Sequence, residues 1–523
     1  MKLISKQLKW RIAGGAVLCL CLWAAHSVAQ QDATDVDSQT TVDGMTQVLG
    51  RPTDHSIGLS VLAPNDLEAY VEYGTAPGKY NGKTAPVKSK GHTPFDVTID
   101  KLKSNTLYYY RVQYRETATG AFKPAAEYSF HTQRPPGSTF TFAVQADSHP
   151  ERKNMFEASL YAATMAEVRK EKPDFYITLG DDFSVDQLNK TVTPQVVSQV
   201  YINQRKYLGM DGSSTPIFLV AGGHEQGGRY LLDGTPNNAA VWVGNARNRY
   251  YELPEPDGFY TGDTEQVQYI GHLRDFYAWT WGDALFITMD PYWHSKIPVD
   301  TVLPGTGGGI GKEPGGGKKN AEGKATADGK KAGGNLGGDR QTRDMWDITH
   351  GEEQYRWLVK TLSESKAKYK FMFAHHVLGT NRGAVEMADQ FEWGGRNMQG
   401  EWEFDKRRPG WEMPIHQLMV KYGVSIFFQG HDHIFVRQEK DGIVYQETPN
   451  PGNPFYEDTA GGWRSAYKTG DYLPASGHLR VTVSPTGAKV DYIRSWMPKD
   501  ETPEHKQGEL AYSYTVKPGK AAK

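Results

Sequence analysis

The sequence predicts a mixed α/β protein in which a small all-β sandwich precedes a larger domain with alternating strands and helices. Residues 38–133 contain short alternating runs, such as 56–61 and 69–73, that are typical of half-buried strands. Residues 134–137, Arg-Pro-Pro-Gly, then form a short, stiff linker. Beyond the linker, apolar strand-like runs alternate with stretches of helical periodicity, which is typical of an α/β domain.

Five apolar runs of the larger domain are each followed by carboxylate or imidazole side chains. Runs 139–146, 175–179, 216–220, 370–374 and 424–428 precede Asp147-Ser148-His149, Gly180-Asp181, Gly222-Gly223-His224-Glu225, His375-His376 and Gly430-His431-Asp432-His433. In open α/β sheets, ligands bind outside the carboxyl ends of the strands. On an extended strand end, residues i and i+2 point the same way, so we expect Asp147 and His149 to reach one cation. Oxygen and nitrogen ligands without thiolates suit Mn, Fe or Zn.

This ordered set resembles the calcineurin-like metallophosphoesterase superfamily. The pattern of that family is Asp-x-His, Gly-Asp, Gly-Asn-His-(Asp/Glu), a lone His and Gly-His-x-His, and it matches over about residues 139–496. The resemblance implies a four-layer α/β/β/α domain that holds two divalent metal ions (Mn, Fe or Zn). It implies these roles: Asp147, His149 and His433 bind the first metal, Asp181 bridges both, His375 and His431 bind the second, and His224 is the catalytic histidine near the leaving group. His375 is preferred over His376 because the family ligand directly follows the strand.

Two departures from related patterns bear on the metals. Gly223 stands where the family has an Asn ligand of the second metal, so we expect that site to be weaker. The architecture also resembles purple acid phosphatases, but their iron-binding Tyr, three residues after the bridging Asp, is Ser184 here. Their first motif also ends in Gly where this chain has His149. We therefore expect a colourless divalent site.

The resemblance implies a phosphoesterase that hydrolyses phosphate mono- or diesters by attack of a metal-bridging hydroxide, and the predicted signal peptide described below implies that it is secreted. Two alternatives stay open. One is a secreted binding protein with a decayed or single-metal hydrolase domain, and the other is a metallohydrolase acting on a non-phosphate ester or on a nucleotide.

The first 29 residues are predicted to be a signal peptide. Basic residues precede an apolar run over 12–25, and Ser27-Val28-Ala29 resembles a cleavage site. Both cysteines, Cys19 and Cys21, lie within it, so the mature chain is predicted to be cysteine-free and secreted or periplasmic. Its loss removes four positive charges and no acid, which shifts the formal charge from −2 to about −6. No nucleic-acid-binding signature and no transmembrane segment are recognised.

Other segments carry weaker signals. Residues 102–112 resemble a fibronectin type III turn and strand, so the sandwich is predicted to be a spacer or a carbohydrate- or partner-binding module. The metallophosphoesterase domain is predicted over 139–497, with a disordered Gly/Lys-rich insertion at 304–340 and a polar, frayed tail at 498–523. The loop 381–410 carries Arg382, Arg396, Arg407 and Arg408, of which Arg382 and Arg396 are our candidates for substrate binding.

Secondary structure around these motifs is predicted from the same periodicities. We expect helices over 155–170 and 183–207, the second broken at Pro194, and loops over 227–271. A hairpin is predicted around Gly282-Asp283, and an amphipathic helix is predicted from Gly351.

Overall fold

The computed structural model describes residues 44–116, 118–152, 155–185, 192–225, 227–297, 299, 344–378, 382–455 and 466–518. The predicted signal peptide and the Gly/Lys-rich insertion lie outside these residues. Within the described ranges, no helix is long and apolar enough to cross a membrane.

The N-terminal part is an all-β sandwich, as predicted. Its strands are β1 (Thr46–Gly50), β2 (Ile57–Leu62), β3 (Leu67–Gly74), β4 (Gly82–Lys83), β5 (Val87–Ser89), β6 (Phe95–Ile99), β7 (Leu107–Arg115) and β8 (Lys123–His131). One sheet has the order β1-β2-β6, and the other has the order β4-β3-β7-β8 with β5 also paired to β3. Every pairing in the two sheets is antiparallel.

The larger domain alternates strands and helices. Its first half contains β9 (Phe140–Gln145), α1 (Ala158–Glu171), β10 (Phe175–Thr178), α2 (Pro194–Gly212), β11 (Ile217–Leu219), α3 (Ala239–Tyr250), β12 (Thr261–Gly262), β13 (Gln266–Val267), β14 (Gly271–His272), β15 (Tyr277–Trp281) and β16 (Ala284–Thr288). Its second half contains α4 (Gly351–Glu364), β17 (Tyr369–Phe373), α5 (Phe391–Gly394), α6 (Phe404–Arg407), α7 (Ile415–Tyr422), β18 (Ile426–Gln429), β19 (Phe435–Lys440), β20 (Ile443–Glu447), β21 (Asp471–Leu473), β22 (Gly477–Ser484), β23 (Gly487–Arg494) and β24 (Leu510–Val516). Single 3₁₀ turns occur at Arg229–Leu231 and Met345–Asp347.

Two sheets of this domain carry the strands that precede the motifs. The six-stranded sheet has the order β11-β10-β9-β22-β23-β24, and the eight-stranded sheet has the order β12-β15-β16-β17-β18-β20-β19-β21. Strands β9, β10 and β11 are parallel, and so are β16, β17, β18 and β20. The carboxyl ends of neighbouring parallel strands therefore meet at one edge of each sheet.

Aromatic side chains fill the space between the two sheets. Phe142 on β9 contacts Phe286 on β16 and Phe371 on β17, with ring centroids 5.1 and 5.7 Å apart. Helix α1 covers the outer face of the six-stranded sheet through Tyr161 and Met165. Helices α4 and α7 pack on the outer face of the eight-stranded sheet. This arrangement gives the four-layer α/β/β/α order that the sequence predicted.

The sandwich and the larger domain belong to one compact unit, Thr46–Lys523. Arg205 on α2 is fully buried, and its guanidinium donates to Thr46 and Ser60 of the sandwich and to the Tyr250 carbonyl of α3. Tyr110 on β7 donates to the Ser213 carbonyl at 2.6 Å. Because buried donors left without acceptors are costly, these contacts fix the sandwich against α2.

Three predictions about secondary structure are wrong. Residues 239–250, predicted as loop, form α3, which begins where Asn238 accepts a hydrogen bond from the Val241 amide. Pro194 begins α2 instead of breaking a longer helix, because its missing N–H costs nothing in the first turn. Residues 510–516 of the predicted polar tail pair with β23 as an edge strand. The predicted hairpin (β15–β16) and the helix from Gly351 are confirmed.

Candidate metal centre

The predicted ligands lie just beyond the carboxyl ends of four strands. Asp147 and His149 follow β9, and Asp181 follows the adjacent parallel strand β10. In the other sheet, His375 follows β17, and His431 and His433 follow the adjacent parallel strand β18. The structure brings these six side chains, together with His224 after β11, into one buried cluster.

The backbone at this cluster is not extended. Asp147, His149, Asp181, His431 and His433 all have positive φ angles, of 58°, 43°, 54°, 78° and 61°. The expectation that Asp147 and His149 share a face of an extended strand end is therefore wrong, because β9 stops at Gln145 and the chain turns sharply after it. Such conformations cost non-glycine residues about 1–3 kcal/mol each and concentrate at functional sites.

Main-chain contacts hold these turns in place. The Asp147 amide donates to the Gly180 carbonyl at 3.0 Å, which joins the loops after β9 and β10. The His431 amide donates to Asp147 Oδ2 at 2.8 Å, which joins the two sheets. A Cβ on Gly430 would lie only 2.6 Å from that same oxygen, so this close approach requires glycine.

Two carboxylate oxygens form the centre of the cluster. Asp181 Oδ2 lies 2.9 Å from His375 Nε2, 3.8 Å from His149 Nε2 and 3.7 Å from His224 Nε2. Asp147 Oδ1 lies 3.4 Å from His433 Nε2 and 4.0 Å from His375 Nε2. Three overlapping sets have ligand atoms within 4.8 Å of one another: Asp147/His149/His433, His149/Asp181/His224 and Asp181/His375/His431.

The donor atoms fit divalent metal ions. Asp147 Oδ1 and His149 Nε2 are buried and have no hydrogen-bond partner among the described residues. Burial lowers the pKa of His149 and lowers those of His431 and His433 well below the ordinary value, so these imidazoles are neutral and offer lone pairs. Buried carboxylates and neutral imidazoles that point at a common space are the donors of a transition-metal site.

The two carboxyl groups differ in charge state. Burial raises the pKa of Asp147 to about 8, so without a cation this group holds its proton at neutral pH. Burial also acts to raise the pKa of Asp181, but the neighbouring His375 and His224 outweigh it and hold that pKa well below its ordinary value. Asp181 is therefore a negative charge at the point where the second and third sets overlap.

The loop after β11 holds Asp181 through two hydrogen bonds. The His224 amide donates to Asp181 Oδ1 at 2.9 Å, and the Asp181 amide donates to Glu225 Oε2 at 2.7 Å. The His224 side chain is 13% exposed, whereas that of Asp181 is 1% exposed. His224 is therefore the member of its set that lies closest to solvent. A Cβ on Gly222 would overlap the Asp181 amide, which explains a glycine there.

His375 and His376 differ in their surroundings. His375 Nδ1 lies 2.9 Å from the Leu179 carbonyl, and its Nε2 lies against Asp181. His376 Nδ1 lies 3.1 Å from the Tyr292 hydroxyl, and its ring is 4.4 Å from that of His431. His376 belongs to none of the three sets.

The two predicted substrate-binding arginines lie in different places. Arg382 donates to the His431 carbonyl at 3.0 Å and to Asp432 Oδ1 at 2.7 Å, so it lies at the cluster and supports the loop that carries His431. Arg396 is exposed in a turn of its own loop, where it donates to the Gly400 carbonyl and faces Trp402. A substrate role for either arginine stays a prediction.

Several residues that the sequence analysis did not assign to the site lie around the cluster. Glu151 lies beside His149, Ser184 donates to Glu151, and Asn450 donates to the Asp147 carbonyl. Glu151 and Ser184 are close in sequence to predicted ligands, which is a usable signal. Asn450 lies in a loop beyond β20 whose sequence carries no comparable signal.

The sequence of this chain matches a known protein family. A family model described as calcineurin-like phosphoesterase matches residues 140–435, more than half of the chain. The chain belongs to the calcineurin-like phosphoesterase family. It is therefore a metal-dependent phosphoesterase.

Relatives of this phosphoesterase agree with that membership. Purple acid phosphatase 22 of Arabidopsis thaliana is 33% identical over 137 residues, which cover 24% of this chain and 27% of that protein. A solved structure of PhoD has a TM-score of 0.59 at 14% identity and covers 93% of this chain and 92% of that one. The purple acid phosphatase PPD1 of yellow lupin (Lupinus luteus) has a TM-score of 0.52 at 15% identity, covering 91% and 75%. The two structures show the shared fold.

Proposed function

We propose that this phosphoesterase hydrolyses phosphate mono- or diesters with two divalent cations that share Asp181, and that it acts outside the cytoplasm. The observation that carries the proposal is the position of Asp181 Oδ2, which lies 2.9 Å from His375 Nε2 and 3.8 Å from His149 Nε2. His375 shares a ligand set with His431, and His149 shares a ligand set with His433. The extracellular location rests on the predicted signal peptide.

The assignment of ligands follows two of the three overlapping sets, Asp147/His149/His433 and Asp181/His375/His431. We assign Asp147, His149 and His433 to one cation, and His375 and His431 to the other, with Asp181 between them. Such cations, when bound, lower the pKa of water and stabilise the charge on the attacking and leaving oxygens. The protein itself contributes to catalysis by holding these ligands at the ends of rigid strands and by excluding water from the buried side of the centre.

His224 is proposed to act on the leaving group and not as a ligand. Its backbone amide holds Asp181, while its Nε2 lies 3.7 Å from Asp181 Oδ2 on the more exposed side of the centre. A histidine in that position can donate a proton from Nε2 to the departing alkoxide. Arg382, fixed by Asp432 at the edge of the centre, is the candidate to contact a phosphoryl oxygen.

Metal removal tests the proposal directly. We expect the purified protein to hydrolyse p-nitrophenyl phosphate or bis(p-nitrophenyl) phosphate with Mn²⁺ or Fe²⁺, because the ligand set is oxygen and nitrogen only. Dialysis against EDTA should abolish the activity, and returning the metal should restore it. Unchanged turnover in protein shown by metal analysis to be metal-free would contradict the proposal.

Substituting His224 separates proton transfer from metal binding. His224→Ala should lower kcat by roughly 10²–10⁴-fold for poor leaving groups, the usual contribution of a positioned acid. The loss should be smaller for p-nitrophenolate, which departs without protonation and so serves as an internal control. Metal content measured by emission spectroscopy should be unchanged. A variant that loses a metal ion would show that His224 is a ligand.

Restoring the missing family ligand tests the second site. Gly223 is not among the glycines with positive φ, so an Asn there carries no backbone penalty. Gly223→Asn should tighten the weaker of two sites, by roughly tenfold or about 1.4 kcal/mol, because an amide oxygen is added beside Asp181. Calorimetric titration with Mn²⁺ measures both sites, and Gly209→Asn on α2, where a Cβ meets only ordinary contacts, is the control. Two equally tight wild-type sites would rule out a ligand deficit at Gly223.

A further inference from the structure

The two ring nitrogens of His149 face different groups. Nε2 points into the cluster, 3.8 Å from Asp181 Oδ2. Nδ1 points away from it and lies 3.2 Å from Glu151 Oε1. With Nδ1–H donating to this carboxylate, the lone pair of the neutral ring is at Nε2, toward the cluster.

Glu151 is itself held by Ser184. The Ser184 hydroxyl donates to the same oxygen, Glu151 Oε1, at 2.7 Å. Arg152 adds a hydrogen bond to Ser184 Oγ at 3.3 Å, and its Nε lies 3.6 Å from Glu151. Ser184 follows Asp181 by three residues, so the Glu151–Ser184 contact ties the loop after β9 to the loop after β10. These loops carry Asp147, His149 and Asp181.

His375 has an outer partner of a different kind. His375 Nδ1 lies 2.9 Å from the Leu179 carbonyl, a neutral acceptor, whereas His149 has a carboxylate. A carboxylate behind a metal-binding imidazole fixes the ring and raises its basicity more than a carbonyl does, because it stabilises positive charge on the ring. The two sides of the centre therefore differ in how their histidines are supported.

We propose that Glu151, held by Ser184, is a positioning residue that orients His149 and strengthens the cation site formed with Asp147 and His433. This inference rests on the proposed ligand set. It also gives Ser184 a role, since Ser184 stands where the similar purple acid phosphatase pattern has a metal-binding Tyr and here binds Glu151 instead. The Glu151 side chain is 34% exposed, so replacing it leaves the buried core intact.

The test is a calorimetric Mn²⁺ titration of the full chain after chelation. Glu151→Ala should weaken the cation site of His149 by about 10- to 100-fold, the usual effect of removing such a partner. The site of His375 and His431 should be unchanged. Glu151→Gln, which keeps an acceptor oxygen but removes the charge, should lose less than Glu151→Ala. Ser184→Ala should show a smaller loss at the same site.

A matched control is present in α1 and β22. His478 Nε2 lies 3.1 Å from Glu171 Oε2. This pair is a buried histidine and a glutamate that lie outside the three ligand sets. Glu171→Gln should leave both Mn²⁺ affinities unchanged. Circular dichroism of each variant verifies folding, and if Glu151→Ala does not fold, Glu151→Gln and Ser184→Ala carry the test.

Three outcomes of the titration distinguish the positioning role of Glu151 from the proposed function. Selective loss at one site in the Glu151 variants supports the positioning role. Unchanged affinities in folded Glu151 variants, or equal loss at both sites, overturn it while leaving the proposed function intact. A wild-type chain that binds no Mn²⁺ overturns the proposed function itself.

Discussion

The burial of two carboxylates, Asp147 and Asp181, is the constraint on which the rest of the structure depends. Their relative exposures are 0 and 1%, and a buried charge costs several kcal/mol unless it is paired. Burial lowers the pKa values of His149, His431 and His433, so these imidazoles stay neutral, and it is chiefly His375 and His224 that offset the charge of Asp181. Divalent cations would satisfy both the carboxylates and the imidazole lone pairs at once. The surrounding fold holds these groups in place and shields them from solvent.

Two packed sheets make this burial achievable. Phe142, Phe286 and Phe371 fill the space between them, so the carboxyl ends of β9, β10, β17 and β18 are held at fixed positions. The loops at these ends then adopt left-handed conformations at five of the predicted ligands, which the hydrogen bonds from Asp147 to Gly180 and from His431 to Asp147 maintain. Local strain is therefore offset by contacts within the rigid scaffold. Arg205 extends this scaffold to the N-terminal sandwich.

The sequence allowed the layer order of the fold and the clustering of the ligands to be predicted, because strand-end carboxylates and imidazoles recur in a fixed order along the chain. It did not allow the backbone at Asp147 and His149 to be predicted, since that conformation depends on contacts with Gly180 and Asn450, the latter about 300 residues away. Helix α3 was missed because its mixed sequence carries weak periodicity, although the Asn238 cap is a readable signal. The edge strand β24 was missed because it lies within a polar tail, although its Tyr512, Tyr514 and Val516 are strand-forming residues that pack against the core.

The central claim is that two cations share Asp181. Crystals grown with Mn²⁺ and measured for anomalous scattering at the manganese absorption edge test it most directly. The account predicts two peaks, one beside His149 and His433 and one beside His375 and His431, with Asp181 between them and a separation of about 3.5–4 Å. A single peak at saturating Mn²⁺, or peaks that do not flank Asp181, would contradict it.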